Sequence, residues 1–181
     1  MKNKLFTLLL ICGQIGTLLA QDVQVPDFKN EPMLLKKDGS LGKLEKNTGE
    51  AKSKSAGGFG GYGYYGGNVA TNDYITFQSV KSPVVVGTDA KFIVKLGDAE
   101  VDPESVFYLT KAVVKKKTRE IYTKKAMGKS LKDSYVQLNF EKIAPGVYKI
   151  IPKGLMPNTE YGFVSTAGGA GHTLVFLFGT N

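Results

Sequence analysis

This 181-residue sequence predicts an all-β fold, an antiparallel sandwich with an extra N-terminal hairpin and a Gly/Tyr-rich loop. Three observations carry that prediction. From residue 72 onward, short segments rich in β-branched and aromatic residues alternate apolar with polar positions and are separated by turn residues. Leu155, Pro157, Thr159 and Tyr161 stand in the spacing L-x-P-x-T-x-Y ahead of an alternating strand. In antiparallel sandwiches a tyrosine so placed reaches back with its hydroxyl to upstream backbone and pins the corner where the chain passes between sheets. Finally, Thr173 to Phe178 (TLVFLF) is apolar on both sides, as a central strand buried on both faces or a last strand covered by a loop must be.

The totals narrow the chemistry. The length suits one domain with tails, or at most two very small domains. Lys2 and Lys4 precede an apolar run from Leu5, and Ala20 stands before the polar Gln21. That is the pattern of a secretory signal peptide over residues 1–20, too short for a comfortable membrane span. The rival reading, a lipoprotein anchored at Cys12, lacks the small residues wanted before that cysteine in Leu9-Leu10-Ile11. Removing the leader takes two lysines from a formal charge of +8, so the remainder stays basic and favours anionic surfaces. Cys12 is the single cysteine and His172 the single histidine. A disulfide framework, thiol catalysis, cysteine zinc sites and a two-histidine centre are therefore excluded after cleavage.

The elements follow in order. Residues 21–31 are a polar leader into the domain, containing Pro26. Residues 32–56 hold a hairpin, with Met33, Leu34 and Leu35 and then Leu41 and Leu44 flanking the turn dipeptide Asp38-Gly39, and a hydrophilic stretch after it. Residues 57–71 form the Gly/Tyr-rich loop, whose core GGFGGYGYYGG packs seven glycines around Phe59, Tyr62, Tyr64 and Tyr65. Glycine at that density makes order entropically expensive, so the segment reads as a flexible loop or linker, although Tyr62, Tyr64 and Tyr65 can also stack on a sugar ring, a base or another protein. Residues 72–181 are the sandwich domain. In it Asp73 to Gln78 and Val84 to Val86 are strands, and Lys91 to Leu96 sets Phe92, Val94 and Leu96 on one face with Lys91 and Lys95 on the other.

Gly97 to Ser105 gathers Asp98, Glu100, Asp102 and Glu104 in one loop. Such carboxylates can hold calcium, but an Asp-Pro turn between strands is acidic simply because Asp starts turns well. No metal site or cofactor is expected. Val106 to Met127 reads as one long hairpin, with Lys115, Lys116, Lys117, Arg119, Lys124 and Lys125 on or beside its turn. These six form a candidate anion-binding patch; the competing reading is that lysines stud an edge strand to keep it soluble. Tyr135 to Phe140 and Val147 to Ile151 then pair across Pro145-Gly146, and His172 opens the last strand as a solvated turn residue.

The Leu155-x-Pro157-x-Thr159-x-Tyr161 segment resembles the tyrosine corner of fibronectin type III and related immunoglobulin-like domains, and the resemblance implies an immunoglobulin-like sandwich. The N-terminal hairpin and the Gly/Tyr loop have no place in the minimal module. More broadly, Leu41-x-x-Leu44-Glu45, Arg119-Glu120, Phe178-Gly179 and the Ala20-Gln21 junction are similar to uncharacterised secreted proteins of Bacteroidetes-type Gram-negative bacteria, a resemblance that implies export and no known activity.

An enzyme is the least supported class, because the sequence contains no nucleophile elbow, phosphate loop or zinc helix motif. A glycosidase needs two carboxylates facing across a cleft, whereas Asp98, Glu100, Asp102 and Glu104 are strung along one loop, with Glu141 apart. The expectation is a non-enzymatic exported domain of the cell envelope, periplasmic or at the outer surface. It would bind an envelope protein or an anionic glycan or lipid, with no nucleic-acid partner and no transmembrane segment once the leader is gone. The alternative is a structural subunit that pairs with a neighbour through an edge strand.

Overall fold

The computed structural model describes residues 24–49, 52–55, 71–123, 134–167 and 173–181. In chain order its strands begin with β1 (Met33–Leu35), β2 (Leu41–Lys43), β3 (Glu45–Gly49), β4 (Lys52–Ser55) and β5 (Thr71–Phe77). They continue with β6 (Val85–Val86), β7 (Lys91–Lys95), the single-turn helix α1 (Pro103–Val106), β8 (Phe107–Lys111), β9 (Val113–Val114) and β10 (Arg119–Tyr122). The last are β11 (Tyr135–Val136), β12 (Leu138–Ala144), β13 (Val147–Pro152), β14 (Glu160–Ser165) and β15 (Thr173–Thr180).

Among the described residues the strands form three sheets: five strands in the order β12-β13-β7-β1-β2, six with the path β11-β8-β14-β15-β3, and four in the order β4-β5-β10-β9. Strand pairing is antiparallel except where β6 joins the end of β15 in parallel. The fold is thus all-β, an open sandwich, as the alternation predicts.

The six-stranded sheet is the middle layer. Phe92 and Ile150 from one side meet Leu109, Phe163 and Phe178 from the other to form the larger core. Phe92 packs edge-on against Phe163 with ring centroids 4.9 Å apart, and lies 5.0 Å from Phe178. Each such pair adds about 0.5–1.5 kcal/mol beyond the area it buries. On the opposite face Val164, Val175 and Leu177 pack against Ile75, Phe77 and Ile121 of the small sheet. The apolar run of β15 therefore has its physical reason: both of its faces are covered by a layer. Gly162 of β14 lets the small sheet approach, since a Cβ there would lie 2.9 Å from Ile121 Cδ1 and 3.1 Å from Val175 Cγ1.

The corner at Tyr161 is built as its spacing predicts. Tyr161 is fully buried and its hydroxyl oxygen accepts the Met156 backbone N–H at 2.8 Å, with Leu155 buried beside it. Thr180 secures the same loop from β15: its Oγ1 accepts the Thr159 N–H at 3.1 Å and donates to the Met156 carbonyl at 2.5 Å.

The N-terminal hairpin is tied into the fold: β1 pairs with β7, while β3, reached directly from β2, pairs with β15, so the segment joins both large sheets. Two expectations about pairing need correction. Val106 to Met127 is not one long hairpin. At Ala112, whose N–H donates to the Glu160 carbonyl at 2.8 Å, the chain leaves the middle sheet, and only β9 and β10 form a hairpin, in the small sheet. Likewise Tyr135 to Phe140 is divided at Gln137 between β11 in the middle sheet and β12 in the five-stranded one. Alternation reports which face a residue shares, and it is blind to a change of sheet.

Candidate functional site

The expected basic patch centres on the β9–β10 turn, where the Lys115 N–H donates to the Thr118 carbonyl at 2.7 Å. Lys116 and Lys117 are exposed at its tip, and Val113 and Val114 beside them are exposed on β9, an edge strand of the small sheet. Lys115 is held lower down, its Nζ 2.5 Å from Glu120 Oε1.

Arg119 leaves this surface altogether, and the expectation that it adds to an exposed patch is corrected. Successive residues of a strand point to opposite faces, so Arg119 shares the inward face of β10 with Ile121. Its side chain has no solvent exposure. Nη2 lies 2.5 Å from Glu45 Oε2 at the start of β3, and Nη1 3.4 Å from Glu160 Oε2 at the start of β14. Glu160 Oε2 also accepts the Ser82 N–H at 2.8 Å, and the guanidinium carbon stands 5.6 Å from the centre of the Phe77 ring.

Room for this cluster comes from Gly179, the partner of Glu160 across β14 and β15. A Cβ on Gly179 would lie 2.6 Å from Glu160 Oε1. Buried charges persist only when paired and hydrogen-bonded, and here one guanidinium faces two carboxylates that retain 24% and 12% of their side-chain exposure. Arg119 Nε and Glu120 Oε2 are buried with no hydrogen-bond partner among the described residues.

The structure thus divides the six basic residues of the sequence-based patch. Lys116 and Lys117 are exposed, Lys115 is tied to Glu120, Arg119 is interior, and Lys124 and Lys125 lie outside the described residues. Tyr62, Tyr64 and Tyr65 lie outside them too, as do His172 and the leader with Cys12.

The acidic loop serves the backbone. Asp98 Oδ1 accepts the Glu100 N–H, and Asp102 Oδ1 the Glu104 N–H, both at 3.0 Å; the second bond caps α1. Among the described residues no group of three or more His, Cys, Asp or Glu side chains comes together as a metal site. Glu141 is ion-paired with Lys149 across β12 and β13. Nor does any described helix have the length and apolarity to cross a membrane.

Sequence reasoning passed over Tyr108 and Tyr135, whose rings meet edge to face at 5.6 Å between β8 and β11. Tyr108 donates its hydroxyl proton to the Thr123 carbonyl. Burial, and then the neighbouring Tyr135, push its phenol well above the ordinary tyrosine range, and burial raises that of Tyr135.

No protein-family model, no curated protein and no solved structure matches this chain.

Proposed function

We propose that the chain is an exported, non-enzymatic binding domain of the cell envelope, and that it contacts an anionic lipid or acidic glycan through the β9–β10 turn. The observation that supports this reading is the exposure of Lys116 and Lys117 at the tip of a hairpin in which Arg119, two residues beyond Lys117, is clamped inside the fold. A turn held at its base presents its charges in a narrow range of positions, so less ordering entropy is lost on binding.

The test is retention on phosphatidylglycerol vesicles and on immobilised alginate across a salt series, wild type beside Lys116→Gln/Lys117→Gln. A lysine near an anionic membrane contributes about 1 kcal/mol, so the double variant should bind roughly 30-fold more weakly at low salt. Wild-type affinity should fall steeply toward about 0.15 M salt, where the screening length is about 8 Å. Stability should change by no more than about 0.5 kcal/mol, as at other exposed positions. Equal retention of the two proteins would return these lysines to keeping an edge strand soluble.

A second reading, a structural subunit pairing through an edge, is favoured by one feature, the exposed Val113 and Val114 on the edge strand β9. It predicts concentration-dependent assembly in sedimentation, abolished by Val113→Lys.

A further inference from the structure

Beside the larger core, two turns border one cleft of about 490 Å³. The first is the β1–β2 turn, in which the Gly39 N–H donates to the Lys36 carbonyl at 3.0 Å. The second lies between β6 and β7, where the Ala90 N–H donates to the Gly87 carbonyl at 3.1 Å. Because β1 belongs to the five-stranded sheet and β6 is attached to the middle one, the cleft opens between the two layers at their edge.

Its floor is apolar and continuous with the core: Val86 is a core residue, and Leu34 and Ala90 pack against the same cluster while remaining partly exposed. Its rim is basic. Lys36, Lys37 and Lys91 are all exposed there, and none of them forms an ion pair among the described residues. The nearby Asp38 carboxylate is committed to its own turn, accepting the Ser40 N–H at 2.9 Å and the Ser40 hydroxyl at 2.7 Å. Asp89 is the single acid on the lining.

We propose that this cleft binds a small anionic amphiphile, a carboxylate or phosphate carried on an aliphatic chain. The chain would lie over Leu34, Val86 and Ala90, and the head group among Lys36, Lys37 and Lys91. The volume falls within the few hundred Å³ usual for small-molecule sites. Charge complementarity selects the occupant. A neutral apolar ligand would leave three lysines facing its end with no partner, and a bare anion would leave the apolar floor in water. This site is separate from the β9–β10 turn and does not depend on it.

Isothermal titration of the full chain with octanoate, octyl phosphate, octyl glucoside and inorganic phosphate, each below its micelle concentration where it has one, tests the proposal. Octanoate or octyl phosphate should bind at least about tenfold more tightly than the glucoside and than phosphate, and the stronger of the two identifies the head group. Lys36→Gln/Lys37→Gln/Lys91→Gln should weaken that binding by about tenfold, because each partly screened charge contributes at most about a fivefold factor. The thermal midpoint of this variant should match the wild type, and Lys116→Gln/Lys117→Gln should bind as the wild type does, which lets the two sites fail separately. The proposal is overturned if the glucoside binds as tightly as the octyl anions, if phosphate alone matches octyl phosphate, if the triple variant binds unchanged, or if neither octyl anion binds.

Discussion

Replacing Arg119 by methionine should be among the more damaging single substitutions in this protein, although the residue sits beside three lysines and reads as a surface charge. Methionine keeps the length of the stem and removes the guanidinium, leaving Glu45 and Glu160 facing each other across an empty site. Breaking a buried ion pair from one side costs about 3–5 kcal/mol. Two features argue for the lower end of that range. Glu45 retains 24% side-chain exposure, and Glu160 keeps the Ser82 N–H as a donor. The expected loss is therefore about 3 kcal/mol, or a midpoint lowered by about 6–12 °C for a domain of this size. Urea unfolding followed by circular dichroism measures it, and an unchanged slope against denaturant would place the loss in stability rather than in compactness. Adding Glu45→Gln and Glu160→Gln to Arg119→Met should recover about 1–2 kcal/mol, since the stranded charges cause most of the cost. A loss below about 1 kcal/mol for Arg119→Met, or no recovery on neutralising the acids, would refute the reading of Arg119, Glu45 and Glu160 as a buried ion-pair cluster.

Two further outcomes follow from the buried tyrosines. Tyr161→Phe keeps the ring but strands the Met156 N–H, so it should lower stability by about 1–2 kcal/mol in the same urea assay. An unchanged midpoint would mean that the corner does not depend on that bond. Tyr108 holds its phenol proton more tightly folded than unfolded, so its contribution is complete below the ordinary tyrosine value of about 10 and is lost as pH rises beyond it. Between about pH 9 and pH 11 the stability of the wild type should therefore fall more steeply than that of Tyr108→Phe, by up to about 1.4 kcal/mol per pH unit; parallel curves would contradict the burial of that hydroxyl.

What was legible in the sequence is local. Leu155-x-Pro157-x-Thr159-x-Tyr161 states its corner because the bond from Met156 N–H to the Tyr161 hydroxyl spans five residues. Asp38-Gly39 states its turn because Gly39 adopts φ 83°, a backbone region that other residues avoid. The two apolar faces of Thr173 to Phe178 announce burial on both sides, but they do not say what covers each face. The small sheet that supplies one of those covers joins β4 and β5 to the β9–β10 hairpin, which lies far along the chain from both, and no periodicity records such a pairing. Ile93 shows the same limit. It falls on the face assigned to Lys91 and Lys95, yet it is fully buried.

Arg119 was misplaced by proximity, because a count of charges along a chain ignores which face of a strand each one takes. The signal that would have corrected it is Ile121, two residues on and therefore on the same face, with Glu120 between them turned the other way toward Lys115. That parity bears on function as well as on fold. If β10 slipped by one residue, the site between Glu45 and Glu160 would receive either Thr118, which leaves both carboxylates unpaired, or Glu120, which adds a third. Both alternatives bury uncompensated negative charge, so the cluster penalises a slip that apolar packing at Ile121 alone would punish less sharply. Register in β10 in turn determines where the preceding turn begins, and with it which lysines reach its tip. The buried arginine thus favours the register in which Lys116 and Lys117 stand at the turn tip and Lys115, also exposed, pairs with Glu120.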